Sequence, residues 1–255
     1  MLREVLAPNA SPMTLNGTRT YLVGHARAAV IDPGPDDRGH LDAVASAIGG
    51  GHCIGVLVTH MHPDHAAGAA ALAARLDAPL GSRGDNTLAD GDRVDTDAGS
   101  LVAVATPGHT PDHTAFHWPS AGAVFCGDLM MGGLDTALVA PPEGDLADYL
   151  QSLERIRALH PRVIHPAHGP SFTDPEPAID RYTSHRRDRE RQVLEAIAGG
   201  ATDVDSIVRR VYGDALPPEF RGVARGAVRA YLDHLEKHQR LPRRGVAGRT
   251  PGAEP

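Results

Sequence analysis

The stretch Thr59-His60-Met61-His62-Pro63-Asp64-His65 follows the compact apolar run Ile54-Gly55-Val56-Leu57-Val58, and its reading decides the fold of this 255-residue chain. The apolar run has the length of a buried strand, so the strand ends where the histidines begin. A loop there can turn several side chains toward one point. Imidazole and carboxylate are the ligand types that suit a borderline divalent ion such as zinc. The alternative is a polar loop that is His-rich by chance. With 15 His in the chain, the odds of a chance His-x-His-x-Asp-His are below about one in a hundred.

Working outward, the same arrangement recurs. His109 lies in Thr106-Pro107-Gly108-His109-Thr110 after an expected strand at 101–105. Asp128 follows Cys126-Gly127 after a strand at 123–126, and His168 lies in His165-Pro166-Ala167-His168-Gly169 after a short strand at 163–164. Four strand ends, each releasing His or Asp beside Gly or Pro, are expected to form one site on one rim of a sheet. Further strands are expected at 21–23, 28–31 and 114–118, the second broken by Asp32-Pro33-Gly34-Pro35. Helical spacing appears at 41–48, closed by Gly49 to Gly51, and at 145–159. The alanine-rich run 66–76 is also read as helix, because alanine loses least on helix formation.

From about Glu176 the texture changes to Arg-rich helical patterns at 179–197, 203–211 and 218–238. The tail from Leu241, rich in Gly, Pro and Arg, is read as mobile. The net charge of −7 hides an asymmetry: residues 1–180 carry −12 and residues 181–255 carry +5. Such a split suggests two modules, the second able to face an anionic partner. Cys53 and Cys126 sit in apolar runs and read as reduced, buried thiols. No run approaches a membrane span. Residues 1–14 carry Pro8 and Pro12 and lack an apolar signal core. The expectation is a cytoplasmic protein with no membrane partner.

These motifs resemble those of the metallo-β-lactamase superfamily, over roughly residues 15–175. The resemblance implies an αβ/βα four-layer sandwich of the α/β class and a metal-dependent hydrolase. It implies a first ion held by His60, His62 and His109, a second by Asp64, His65 and His168, and Asp128 bridging the two. Asp32 would support the site without necessarily touching metal. Two more stretches, 144–153 with 168–170 and 182–192, look like the β-lactamase-like protein 2 subgroup, which carries a small winged-helix-like C-terminal domain and includes a single-strand-preferring endoribonuclease. The implied organisation is a catalytic domain over 1–178, a winged-helix-like domain over 179–242 and a flexible tail over 243–255.

Two divalent ions, zinc by the His-rich ligation or manganese or iron in a mixed His/carboxylate set, would share a water and lower its pKa toward neutrality. The bridging hydroxide would attack a carbonyl carbon or a phosphorus. Asp64 is the candidate catalytic residue, orienting the nucleophile or shuttling its proton. His113 could protonate the leaving group or hold a ligand from behind, and His165 is read as supporting or surface. Asn16 is read as capping a turn. The substrate is read as single-stranded RNA or another phosphodiester held by the arginines of the basic module. The alternative is a small ester-type molecule, a thioester or lactone, with weak β-lactamase activity as a side reaction. A third reading is a nucleic-acid-binding regulator with a vestigial site. The oligomeric state is left open, a homodimer included.

Overall fold

The computed structural model of the protein describes residues 1–85 and 87–241; the tail expected at 243–255 lies outside the described residues. β1 (Leu2–Leu6), β2 (Arg19–Val23) and β3 (Arg27–Ile31) form an antiparallel ladder. The chain then crosses through α1 (Arg38–Ile48) to β4 (His52–Leu57), which lies parallel to β3. The one-turn α2 (Pro63–Ala66) and then α3 (Ala69–Leu76) lead to the short β5 (Leu80–Gly81), parallel to β4. β6 (Arg93–Thr96), β7 (Gly99–Ala105), β8 (Thr114–Trp118) and β9 (Ala123–Gly127) meander antiparallel into a second sheet. α4 (Leu146–Arg157) carries the chain over to β10 (Val163–Pro166), parallel to β9. Three helices follow: α5 (Pro175–Ala198), α6 (Val204–Tyr212) and α7 (Arg221–Lys237).

Each five-stranded sheet is covered on both faces, which explains why the strands read as near-continuous apolar runs rather than as alternation. Along β2 and β3, Tyr21 and Ile31 face the second sheet and pack with Ala103, Phe116 and Phe125. Leu22 and Val30 face the other way, onto Leu41 and Val44 of α1 and Leu72 of α3. On the outer face of the second sheet, Val124 and Ile164 pack with Tyr149, Leu153 and Ile179 of α4 and α5. The result is a helix–sheet–sheet–helix sandwich, as expected.

Strand direction places the site. β7 and β9 are both antiparallel to β8, and β10 is parallel to β9, so the C-terminal ends of β7, β9 and β10 share one edge. β3 and β4 likewise run together in the first sheet. The strand ends that release Asp32, His60, His109, Asp128 and His168 therefore come from two sheets rather than the single rim expected. Cross-links hold the two rims together: Thr114 N–H donates to the Thr59 carbonyl (2.8 Å) and the Tyr21 hydroxyl to the Pro166 carbonyl (2.7 Å).

Several boundaries differ from expectation for local reasons. The helix expected at 66–76 breaks at Ala67-Gly68, where the Gly68 N–H is drawn to the Gly34 carbonyl (3.0 Å). β1 was not anticipated, because it is a short edge strand with charged residues between its apolar ones and none of its residues buried. α5 begins at Pro175, a residue suited to a first helical turn, and it runs unbroken through position 178. Its apolar face joins one core with the second sheet, α6 and α7, from Val124 to Leu235. The winged-helix-like expectation extends only to helices, since among the described residues no strand follows β10.

Gly108 shows how closely the site loop is packed. Its φ is +126°, and a Cβ there would overlap the backbone N and Cα of Tyr149 at the start of α4. Gly108→Ala should therefore destabilise the protein by about 2–4 kcal/mol, read as a lowered urea midpoint. An unchanged midpoint would show that the loop can move away from α4.

Candidate metal centre

The imidazoles of the site can be placed one nitrogen at a time, with tautomers assigned from the hydrogen-bond network. Asp32 is buried at the end of β3. Its Oδ1 accepts the Thr59 N–H (2.8 Å), and its Oδ2 accepts the Thr59 hydroxyl (2.9 Å) and the Nδ1–H of His65 (3.0 Å). With its proton given to Asp32, the Thr59 hydroxyl is free to accept from His60 Nδ1 (3.1 Å). His109 Nδ1 donates to the Leu138 carbonyl (2.8 Å), and His168 Nδ1 faces the Gly17 carbonyl at 3.4 Å. His62 is reversed: its Nε2 meets Glu143 Oε2 at 2.9 Å, which leaves Nδ1 for the site. Each ring is thus held from behind on one nitrogen.

The other nitrogens converge. His62 Nδ1 lies 3.0 Å from His60 Nε2 and 3.1 Å from His109 Nε2. His168 Nε2 lies 3.2 Å from Asp64 Oδ2 and 3.2 Å from Asp128 Oδ1, and His65 Nε2 is 3.5 Å and 3.4 Å from the same two oxygens. Asp128 stands between the two groups, because its Oδ2 faces His109 Nε2 at 3.7 Å. His60, His62 and His109 form one group whose donor atoms lie within 4.8 Å of one another; Asp64, His65 and His168 form another, and His60, His65 and Asp128 a third.

This arrangement fits divalent ions. His65 Nε2, His168 Nε2 and Asp128 Oδ1 are buried with no hydrogen-bond partner, and buried polar atoms are seldom left so. Lone pairs aimed at one point, on rings whose other nitrogen is already committed, form a donor set for cations. Charge follows the same logic. Burial, followed by the neighbouring His65, holds His60 well below the usual histidine range, and burial lowers His109. Burial alone would lower His65 and raise Asp128. Their mutual attraction overrides it, holding His65 well above and Asp128 well below their ordinary values, with Asp32 adding to the first.

The structure brings together all seven residues named from the motifs, His60, His62, Asp64, His65, His109, Asp128 and His168, with Asp32 behind them. His113 is also here, but in a supporting position. Its Nε2 accepts the Asp128 N–H (3.2 Å) and its Nδ1 meets the Thr106 hydroxyl (2.9 Å), while burial pushes its pKa down to about 3. Both of its nitrogens are occupied in hydrogen bonds, which suits the supporting role of the two expected. Gly127 makes this possible: with φ +50°, a Cβ there would stand 2.7 Å from His113 Nε2 and 2.8 Å from Thr59 Oγ1. His165 points elsewhere, to Ser171 (2.7 Å). Sequence reading missed Thr59 and Glu143. Thr59 adjoins the decisive motif and could have been noticed; Glu143 is 81 residues from His62 and gave no signal.

Comparison with known proteins agrees with this geometry. A family model described as the metallo-beta-lactamase superfamily matches residues 13–93 and 81–168. The beta-lactamase-like protein 2 homolog of Caenorhabditis elegans is 31% identical, over 92% of this chain and 83% of that one. The atrochrysone carboxyl ACP thioesterase of Aspergillus chevalieri is 31% identical, over 82% and 72%. In fold, the chain is similar to a beta-lactamase domain protein from Burkholderia ambifaria, with a TM-score of 0.79 at 22% identity, over 93% of this chain and 86% of that one.

Asp32→Asn should weaken divalent-metal affinity by roughly 10–100-fold, because the amide cannot accept from both His65 and Thr59 while offering them a donor. Competition with a chromogenic chelator measures this. Unchanged affinity would mean that His65 needs no support.

Proposed function

This chain belongs to the metallo-β-lactamase superfamily and is a metal-dependent hydrolase, and on that footing we propose a dinuclear centre acting on a carbonyl substrate of the thioester class. His60, His62 and His109 would hold one divalent ion, Asp64, His65 and His168 the other, and Asp128 both. The imidazole-rich first set suits zinc. Ions bound there supply Lewis acidity, which polarises a carbonyl oxygen and brings the pKa of water toward neutrality.

The chain's own groups do the rest. Asp64 turns Oδ2 to His65 and His168, and its second oxygen is left to orient the attacking water and take its proton. His113 secures Asp128 through the backbone. Glu143 fixes His62 so that its Nδ1 faces inward.

The observation that carries the substrate class is the state of the C-terminal cations. Arg181 pairs with Asp135, Arg191 with Asp188 and Glu195, Arg225 with Asp205, Arg240 with Glu190, and Lys237 with Asp145. These exposed pairs add little stability. They do answer five of the cations that a phosphodiester backbone would need, leaving exposed Arg187, Arg209, Arg210, Arg221 and Arg229 without an ion pair among the described residues. A thioester places no such demand. Its leaving thiolate, with a thiol pKa of about 8.5, also departs with little need of a proton donor. The thioesterase name among the relatives supports the same class. The proposed division into a catalytic part over 1–178 and a C-terminal part from 179 passes through α5, which belongs to the core of both.

The test is a paired assay on metal-analysed protein, with acyl thioesters and lactones against labelled single-stranded RNA, each at low and high salt. The expected result is thioester hydrolysis that a chelator abolishes and salt barely changes. Salt-sensitive RNA cleavage without thioester hydrolysis would overturn the substrate class. His62→Ala and Asp128→Ala should each lose turnover at least a thousandfold while circular dichroism stays native-like. Full activity in either would remove the site assignment.

A further inference from the structure

Residues 137 and 138 separate two environments. The Leu138 carbonyl accepts from the metal-site residue His109, and the neighbouring Ala137 carbonyl accepts a guanidinium N–H of Arg186. On the Arg186 side opens a cavity of about 270 Å³, near the lower end of the roughly 300–1,000 Å³ usual for small-molecule sites. Its wall is mostly apolar, with Leu138, Leu216, Val223 and Ala227 inside. Met13 and Leu134 also line it and are exposed, which puts them at its mouth.

Arg186 is only 4% exposed, and among the described residues it has no carboxylate partner. By hydrogen-bond geometry its Nε has no partner, nor does the hydroxyl of the buried Tyr231 that also lines the cavity, although the Tyr149 and Tyr231 hydroxyls lie near enough to favour its charge. Its guanidinium lies over the Tyr149 ring, 4.6 Å from the centroid. Arg189, also on the wall, rests over Tyr212 and donates to Gln192 and the Val211 carbonyl, again without a carboxylate. The acidic groups acting on the adjacent His185, Asp135 and Asp188, are held by Arg181 and Arg191 at the surface. Among the described residues no acidic side chain lines the cavity.

A buried cation with no counter-charge is strongly unfavourable, and stacking on Tyr149 offsets only part of that. Among the described residues the other arginines of these helices that lack a carboxylate, Arg187, Arg209, Arg210, Arg221 and Arg229, are exposed to water, whereas Arg186 is buried. The missing charge is therefore one that arrives with a ligand. A guanidinium fork matches a planar carboxylate, while an apolar wall disfavours a strongly hydrated phosphate. We propose that this cavity binds an organic monocarboxylate with an apolar chain or ring, its anion against Arg186 and Tyr231 and its apolar part toward Leu216 and Ala227.

The test uses the full-length, metal-loaded protein and three probes: octanoate, its neutral counterpart octanol, and acetate. Calorimetric titration should find octanoate bound at least tenfold more tightly than either. Capture of the carboxylate by the metals alone would instead treat acetate and octanoate alike. Arg186→Met should erase the advantage over octanol. Ala227→Phe fills the cavity, leaves Arg186 in place and should erase the advantage over acetate; it carries the test should Arg186→Met not fold. Equal binding of the three probes, or octanoate binding unaffected by Ala227→Phe, overturns the proposal. Inhibition of thioester hydrolysis then separates the two sources of such an acid. Competitive inhibition identifies the acyl part of the substrate or its product, and non-competitive inhibition a separate effector, both upholding the site. Only this last arm rests on the thioester reading; absent turnover would overturn that reading and leave the binding result intact.

Discussion

Lone pairs that face one another repel, and this constrains everything around the centre. Seven side chains aim nitrogen or oxygen at two neighbouring points. They hold that posture because their rings are fixed from behind, His60 by Thr59, His65 by Asp32, His109 by the Leu138 carbonyl and His62 by Glu143. Two of these supports, Asp32 and Thr59, hydrogen-bond to each other twice. The first sheet's strand ends are thereby tied into one rigid unit before any ion is considered.

The two-sheet architecture serves that constraint. A single parallel sheet would deliver its loops in a row, whereas here β3 and β4 meet β7, β9 and β10 across a shared core of Tyr21, Ile31, Phe116 and Phe125. The ligands then approach from two sides and surround a volume. The helices α1 and α3 on one flank and α4 and α5 on the other shield the outer faces, so the strands can be apolar on both sides. The strand ends are left as the place where polar groups gather.

The C-terminal helices show that net charge and unpaired charge are different quantities. A charge of +5 over residues 181–255 suggests a face for nucleic acid. In the folded chain much of that charge is answered by neighbouring carboxylates, some from the same helix and some, such as Asp135 and Asp145, from the catalytic part. Among the described cations without a carboxylate, Arg186 is the buried one, turned inward onto the Ala137 carbonyl. Composition counts charges, while function depends on which of them lack partners.

The residues gathered at the candidate metal centre, most of the strands and helices and the layered fold were legible in the sequence, because each of those residues sits within a few positions of a strand end and strand ends are marked by apolar runs followed by Gly or Pro. Backing residues such as Glu143 and the Ala137–Leu138 carbonyls were not, because a hydrogen bond across 81 or 29 residues leaves no local pattern. The position of His113 was open for the same reason: only the folded chain places its Nε2 beneath the Asp128 N–H. The sequence by itself determined which groups could bind metal, since that depends on side-chain chemistry near strand ends. The tertiary structure alone decided which nitrogen of each ring faces the centre and which arginines remain without a counter-charge, since both depend on neighbours brought together only by packing.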